Sequence, residues 1–92
     1  MISIENRIVI NQDLLSTELD GETVMMDVES GQYYTLNAVG SRIWQELAAP
    51  TSVDVLCIRL EEEYDATPDV LREGVLRFLN QMLEKRLIRV EA

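Results

Sequence analysis

The rest of the chain is organised around one segment, Gly31-Gln-Tyr-Tyr-Thr-Leu-Asn-Ala-Val-Gly-Ser-Arg-Ile-Trp-Gln-Glu-Leu47. It contains the signals of a turn, a short strand, a helix cap and an amphipathic helix in immediate succession. Tyr33, Tyr34 and Thr35 favour a strand, and Asn37 can cap a helix. The apolar side of that helix recurs at helical spacing and consists of Val39, Ile43, Trp44 and Leu47. A strand is therefore predicted to lead directly into a helix.

Two further strands are predicted upstream, joined by a tight hairpin. Asp20-Gly21 is a dipeptide favoured in two-residue hairpin turns. This turn places Leu19 opposite Glu22 and Thr17 opposite Val24. One face of the hairpin carries a set of apolar residues and is expected to cover the core. A register shift of one residue would expose the whole set. The members of that set are Leu15, Thr17, Val24, Met26 and Val28.

The next turn is predicted to be a three-residue loop, Glu29-Ser30-Gly31, with a left-handed glycine and a bulge. This loop pairs Met26 with Tyr34. A two-residue loop would turn Tyr34 and Leu36 to the opposite face of the sheet, away from the expected core. Tyr34 is therefore expected in the core and Tyr33 on the other face. The third strand is expected at an open edge, which can accept another strand.

Three helices are predicted to follow. The first ends at Ala49-Pro50, since the residue before proline disfavours helix geometry. Thr51 to Asp54 has capping-box spacing for the second, and Thr67-Pro68-Asp69 starts the third, which runs to about Lys85 or Arg86. The positions at core spacing are Val53, Leu56, Cys57, Leu60 and Tyr64, then Leu71, Val75, Phe78, Leu79 and Met82, with Leu76 and Leu83 widening the last stripe.

The expected fold class is therefore α+β, with an N-terminal three-stranded antiparallel sheet followed by three helices. Ninety-two residues are enough for one domain, residues 1–92. Two terminal segments, Ile8–Ile10 and Leu87–Val90, can each form a short strand. The sequence leaves open whether they pair with each other.

Composition disfavours several classes of function. Seventeen acidic and eight basic residues give a net charge of −9, which repels nucleic-acid phosphates. There is no histidine, and the single cysteine, Cys57, lies at core spacing, so a thiolate metal site is not expected. The run Glu61-Glu62-Glu63 with Asp65 is interpreted as a solvated face and not as a calcium site. No cofactor, metal or catalytic residue is expected.

The same features suggest where the protein works. Charges near the start interrupt the apolar region that a signal peptide needs, and no apolar run approaches the roughly 20 residues that cross a bilayer. A single thiol at core spacing fits a reducing compartment. We expect a cytoplasmic protein with no membrane partner.

Three short motifs carry a resemblance to a known family. They are Asp-Gly-Glu at positions 20 to 22, Ser-Gly-Gln-Tyr-Tyr-Thr-Leu-Asn, and Val-Gly-Ser-Arg-Ile-Trp. Together, over roughly Leu15 to Val90, the chain resembles the PqqD-like family, also called RiPP recognition elements. The resemblance implies a winged-helix-like domain that binds the leader peptide of a ribosomally made precursor. It also implies a partner enzyme, either a radical SAM protein or a leader peptidase and cyclase. The motifs resemble standalone lasso-peptide members more than those of the PQQ pathway.

The resemblance leads to a hypothesis for the site. The edge of the third strand and one face of the third helix are expected to form a groove in which the leader adds as a further strand. The expected peptide-binding residues are Gln32, Tyr33, Tyr34, Thr35 and Leu36 on the strand, and Arg72, Val75, Leu76, Leu79 and Leu83 on the helix. Arg72 can pair with an acid of the leader. Spacing does not decide which flank of the helix faces the groove.

Two other classes of function stay open from the residues alone. A winged-helix nucleic-acid binder has the same architecture, although the charge opposes it. A dimerisation module could use the same open strand edge, so a monomer and a homodimer are both compatible with the sequence. Tyr33 on that edge fits ligand contact and ordinary exposure equally well.

Overall fold

The computed structural model describes residues 2–3 and 5–91, so Met1, Ile4 and Ala92 of the expected domain lie outside the described residues. The elements in chain order are β1 (Arg7–Ile10), β2 (Leu14–Leu19), β3 (Glu22–Asp27), β4 (Tyr33–Leu36), α1 (Ala38–Glu46), β5 (Thr51–Ser52), α2 (Val53–Glu61), α3 (Pro68–Glu84) and β6 (Ile88–Glu91). The predicted α+β class, a three-stranded antiparallel sheet and three helices, is confirmed.

The first hairpin has the predicted turn and register. Leu19 lies opposite Glu22, and Thr17 lies opposite Val24. Asp20 has φ 53° and Gly21 has φ 82°. A two-residue hairpin turn of the favoured hand requires both central residues in this left-handed region, which explains the Asp-Gly dipeptide.

The second loop differs from the prediction by one residue. The Asp27 N–H donates to the Gln32 carbonyl at 2.9 Å, and Met26 lies opposite Tyr33. The loop therefore holds four residues, 28–31, and the predicted pairing of Met26 with Tyr34 is wrong. Gly31 is left-handed as expected, with φ 76°.

The face of the sheet that covers the core is also the opposite of the prediction. Met25 is 1% exposed and lies opposite Tyr34, whereas Leu15, from the expected core set, is 60% exposed. The reason lies in the connection after β4. Asn37 turns the chain straight into α1, so the helix covers the face to which Leu36 points. The position of α1 therefore decides which face is buried, even though the other face carries the larger apolar set.

The two chain ends pair with each other in a second sheet, a point that the sequence alone leaves open. Its strand order is β5-β1-β6, all antiparallel. Ile8 lies between Thr51 and Val90 and is fully buried. The short strand β5 was not predicted, because two residues carry no periodic signal.

The cap of α2 is one residue later than predicted. The Ser52 hydroxyl accepts from the Val55 N–H at 3.2 Å, so Ser52 and not Thr51 is the N-cap. Thr51 is instead paired with Ile8 in the second sheet. Tertiary pairing thus decided between two residues that can both cap a helix.

The other two helices begin as predicted. The Asn37 side chain accepts from the Gly40 N–H at 2.9 Å at the start of α1. At the start of α3, Thr67 accepts from the Val70 N–H, and Pro68 occupies the first turn. These local hydrogen bonds satisfy backbone donors that the first turn of a helix leaves unpaired.

One core joins both sheets and all three helices. Trp44 and Cys57 are buried in it, as predicted, and Tyr34 packs against it while half-buried. The buried apolar residues are Ile2, Ile8, Met25, Leu36, Ile43, Trp44, Leu47, Val53, Leu56, Cys57, Leu60, Val75, Leu79, Met82, Leu87 and Ile88. Within residues 2–3 and 5–91, none of the helices has the length and apolar content to cross a membrane.

Candidate functional site

An open strand edge is the first component of the site. The main sheet has the order β2-β3-β4, so β4 is an edge strand as predicted. Asp27 and Gln32 form a hydrogen-bonded position of the ladder, and such positions alternate along antiparallel strands. Tyr34 and Leu36 therefore direct their backbone groups to β3. Tyr33 and Thr35 direct theirs outward, where no strand of the described residues pairs with β4.

α3 lies beside this edge and runs in the direction opposite to β4. At its end, the Lys85 ammonium lies 5.7 Å from the centre of the Tyr34 ring. Further back, the Phe78 ring packs over Gly40, so that a Cβ at Gly40 would lie 3.0 Å from Phe78 Cε1 and 3.4 Å from Leu36 Cβ. The two elements thus form the walls of a groove that passes Tyr34 and then Phe78.

The groove ends in an apolar pocket beyond Leu36. The pocket has a volume of about 340 Å³, and it is lined by Asn37, Val39, Gly40, Ile43, Leu60, Tyr64, Ala66, Val70, Leu71, Gly74, Val75 and Phe78. Val39 and Val70 are apolar but exposed. Gly74 adds space, because no atom lies within 4 Å of the position that its Cβ would take. A pocket of this kind suits one large apolar side chain.

The opposite end of the groove is polar. A depression of about 550 Å³ is lined by Asn11, Asp27, Glu29, Ser30, Gln32, Tyr34, Glu84, Lys85 and Arg86. The Tyr34 hydroxyl donates to Gln32 Oε1 at 2.8 Å. Lys85 and Arg86 provide cations beside the start of β4, although Glu84 and Asp27 lie close by. The groove is therefore charged at one end and apolar at the other.

The predicted strand residues Gln32 to Leu36 share this one edge, but of the predicted helix residues only Val75 lines the pocket of the groove. Val75 is almost fully buried where it lines this pocket, and Leu79 is buried in the core without lining it. Leu76 and Leu83 lie on the far flank of α3. That flank also carries Asn80, whose Oδ1 accepts from the Ile2 N–H at 3.1 Å. Side chains three and four residues apart share a helix face, so this flank faces the N-terminal segment.

Arg72 also lies on the side of α3 away from β4. It is half-buried and close enough to α2 that its charge acts on Cys57. Burial raises the pKa of the Cys57 thiol, and the Arg72 charge offsets this only in part. The Nε atom of Arg72 is buried with no hydrogen-bond partner among the described residues. The structure does not bring Arg72 to the β4 edge.

The flank of α3 that does face β4 was missed by sequence reasoning as a binding surface. Leu71, Gly74 and Phe78 line the pocket there. Spacing alone assigns Leu71 and Phe78 to the core. Both flanks of α3 are apolar, so spacing does not distinguish the flank that packs in the core from the flank that lines a groove. The available signal was Gly74, because a glycine inside a helix costs stability and can mark a close approach or an opening.

The acidic run at the end of α2 takes part in an ion pair. Glu63 accepts two hydrogen bonds from the Arg42 guanidinium, at 2.7 and 2.8 Å. In the part of the chain that the structure describes, no three carboxylate or thiol groups come together as they would around a metal ion.

Comparisons with known proteins concern the family and the fold of the chain. The sequence model of the family described as "Coenzyme PQQ synthesis protein D (PqqD)" matches residues 22–88. No curated protein matches the chain. Among solved structures, "TbiB1 in Complex with the TbiA(beta) Leader Peptide" is 27% identical, with 91% of this chain and 98% of that chain covered and a TM-score of 0.85. "Lasso peptide synthetase B1 complexed with the leader peptide" is 20% identical, covers 89% and 96%, and has a TM-score of 0.80. This second likeness shows the fold alone.

Proposed function

Since this chain belongs to the PqqD family, we propose that it is a non-catalytic adaptor for a ribosomally synthesised precursor peptide. It binds the leader region of the precursor and presents it to a modifying enzyme. The observation that carries this proposal is the open β4 edge facing α3, in a fold shared with a protein solved in complex with a leader peptide. Lasso-peptide biosynthesis is the pathway we favour, with a leader peptidase and cyclase as partners. A radical SAM partner of the PQQ type is the alternative.

The proposed mode of binding is strand addition to β4. The outward N–H and C=O groups of Tyr33 and Thr35 offer about four hydrogen bonds, worth roughly 1 kcal/mol each. Micromolar binding requires about 8 kcal/mol after ordering costs. Burial of one large apolar side chain adds about 1.5–3 kcal/mol. The strand edge alone is therefore insufficient, and the pocket around Gly74 and Phe78 together with further side-chain contacts along the groove must supply the rest.

We assign the peptide to the flank of α3 that carries Leu71, Gly74 and Phe78, together with Gln32–Leu36. Val75 lines the pocket beside them, and Leu79 supports the groove from the core. Arg72, Leu76 and Leu83 lie outside this assignment, because their flank faces away from β4. An acid in the leader is expected near Lys85, and a large apolar residue near Gly74.

A proline at the β4 edge tests strand addition. Thr35→Pro removes an outward N–H without touching the ladder to β3, which edge strands tolerate. We expect leader affinity to fall about tenfold or more, because one bond is lost and the added strand meets the proline ring. The measurement is a nuclear magnetic resonance titration of labelled protein with leader peptides from short precursor genes encoded nearby.

The matched control is Ser16→Pro on β2, the opposite edge of the same sheet. Its N–H also points outward, because Thr17 and Leu15 occupy the hydrogen-bonded positions of that hairpin. Both variants are expected to keep the circular dichroism of the parent. Unchanged leader affinity in Thr35→Pro, or equal loss in both variants, would contradict strand addition at β4.

A further inference from the structure

The face of the main sheet turned away from α1 carries an apolar row. Leu15, Met26 and Tyr33 lie side by side across β2, β3 and β4. Leu15 is 60% exposed and Tyr33 is 71% exposed. We call this surface the outer sheet face; its residues are Leu15, Thr17, Leu19, Glu22, Val24, Met26, Tyr33 and Thr35.

Two shallow depressions make the outer sheet face continuous with the loop after β3. One, of about 240 Å³, lies over Thr17, Val24 and Tyr33. The other, of about 460 Å³, lies beside Val28, and Leu15 lines both. Nothing in residues 2–3 and 5–91 covers this surface, whereas the opposite face packs on α1. Contiguous exposed apolar surface of this kind is typical of protein interaction sites.

The segment that forms the outer sheet face and its loops carries only negative charge. Residues 8–41 contain no lysine or arginine, and their acidic residues are Asp13, Glu18, Asp20, Glu22, Asp27 and Glu29. Asp13 and Glu29 line the depression beside Leu15. A second copy docking face to face would bring these carboxylates together, which disfavours self-association. The surface is complementary to a partner with an apolar centre and a basic rim.

The outer sheet face is also continuous with the proposed peptide site. Tyr33 and Thr35 belong to both, since their side chains lie on this face while their backbone groups point to the edge. A peptide added beside β4 extends the sheet, and alternate side chains of an added strand lie on the same face. A protein that docks here therefore contacts the adaptor and the bound leader at once.

From this continuity and this charge pattern, we propose that the outer sheet face docks the enzyme that processes the bound peptide. The inference rests on the proposed function. The enzyme contributes an apolar patch over Leu15, Val24 and Met26, and basic side chains near Glu22, Asp13 and Glu29. Joint contact with leader and adaptor lets the enzyme distinguish the loaded adaptor from the empty one.

The test replaces one exposed side chain at the centre of the patch. Leu15→Lys introduces a cation opposite the expected basic rim, while the matched control Ile58→Lys alters an apolar residue of α2 that is 53% exposed. The probes are the purified enzymes encoded beside the gene of this protein, tested with and without the leader peptide. We expect Leu15→Lys to weaken enzyme binding about tenfold. Ile58→Lys keeps the parent affinity, and both variants bind the leader normally.

Three results would overturn the docking site: no enzyme binds the parent protein, Leu15→Lys keeps full enzyme affinity, or both variants lose it equally. A parent dimer in light scattering that Leu15→Lys converts to a monomer would assign the face to a second copy instead. Leader binding is measured separately on the same samples. Its absence in the parent rejects the proposed function, whereas its presence with unchanged enzyme binding rejects only the docking site.

Discussion

Ser41 joins α1 to the end of the main sheet. The Thr23 N–H donates to Ser41 Oγ at 2.8 Å, and the Ser41 hydroxyl donates to the Leu36 carbonyl at 3.1 Å. Thr23 and Leu36 are the last paired residues of β3 and β4, so the hydroxyl bridges the final position of their ladder. All three residues are buried. The serine of the Val-Gly-Ser-Arg-Ile-Trp motif is therefore explained by the two buried backbone groups that its hydroxyl satisfies.

Replacement of this hydroxyl should be costly. Ser41→Ala leaves a buried N–H and a buried carbonyl without their partner, which we expect to destabilise the protein by about 1–3 kcal/mol. Urea unfolding followed by circular dichroism measures the change. Ser16→Ala, on the exposed strand β2, is the control and should leave the midpoint unchanged. Equal midpoints for the two variants would show that water replaces the bridge.

At the scale of elements, four charged side chains connect α1 to α2 and the turn after it. Arg42 of α1 pairs with Glu46 at 2.6 Å and with Glu63 at 2.7 Å. Arg59 of α2 pairs with the same Glu46 at 3.0 Å. Isolated surface pairs contribute little, but shared and bidentate pairs fix geometry more strongly. The network holds the two helices together at the solvent side of the core.

The network predicts a dependence of stability on pH. Hydrogen bonds from Arg42, supported by Arg59, lower the pKa of the Glu46 carboxyl below its ordinary value. A lowered folded-state pKa contributes stability above the unfolded-state pKa, and this contribution is lost as the pH falls through the folded-state value. Glu46→Gln should therefore be less stable than the parent at neutral pH. The difference in stability between parent and variant should become smaller as the pH is lowered.

The measurement is thermal unfolding of parent and variant from neutral pH into the acid range. Glu73→Gln is the control, since Glu73 forms an exposed pair with Arg77 on α3 and should show little effect at any pH. A stability difference for Glu46→Gln that is independent of pH would mean that the carboxylate charge is not the stabilising feature.

At the scale of the whole molecule, the charge is unsuited to nucleic acid. The net charge is −9. Several of the cations are already paired with acids in the described structure: Arg7, Arg42, Arg59 and Arg77. A nucleic-acid interface requires a cluster of cations free to contact phosphates. This charge distribution is therefore more compatible with a peptide partner than with a nucleic-acid duplex.

A binding assay with random duplex DNA tests this directly. We expect no shift in the mobility of the DNA at low salt or after salt is added, because the negative charge of the protein repels phosphates. A shift at low salt that decreases with added salt would support the nucleic-acid alternative. The leader titration described above, run on the same preparation, shows that the sample is active.

The local structures could be predicted from the sequence alone. The Asp20-Gly21 turn and the caps at Asn37 and Thr67 depend on backbone angles and on hydrogen bonds within three residues, so they can be read from neighbouring residues. The open edge of β4 also followed from strand order. These features locate one wall of the candidate site.

Which of two similar apolar surfaces is buried depends on contacts between elements that are distant in the sequence. Both faces of the β2–β3 hairpin carry apolar residues, and the path of α1 after Asn37 selected the face with Met25. Both flanks of α3 are apolar, and packing turned Phe78 to β4 and Leu76 away from it. Periodicity reports that a side chain is apolar, but burial depends on which element lies against it. The second wall of the groove is therefore a property of the fold.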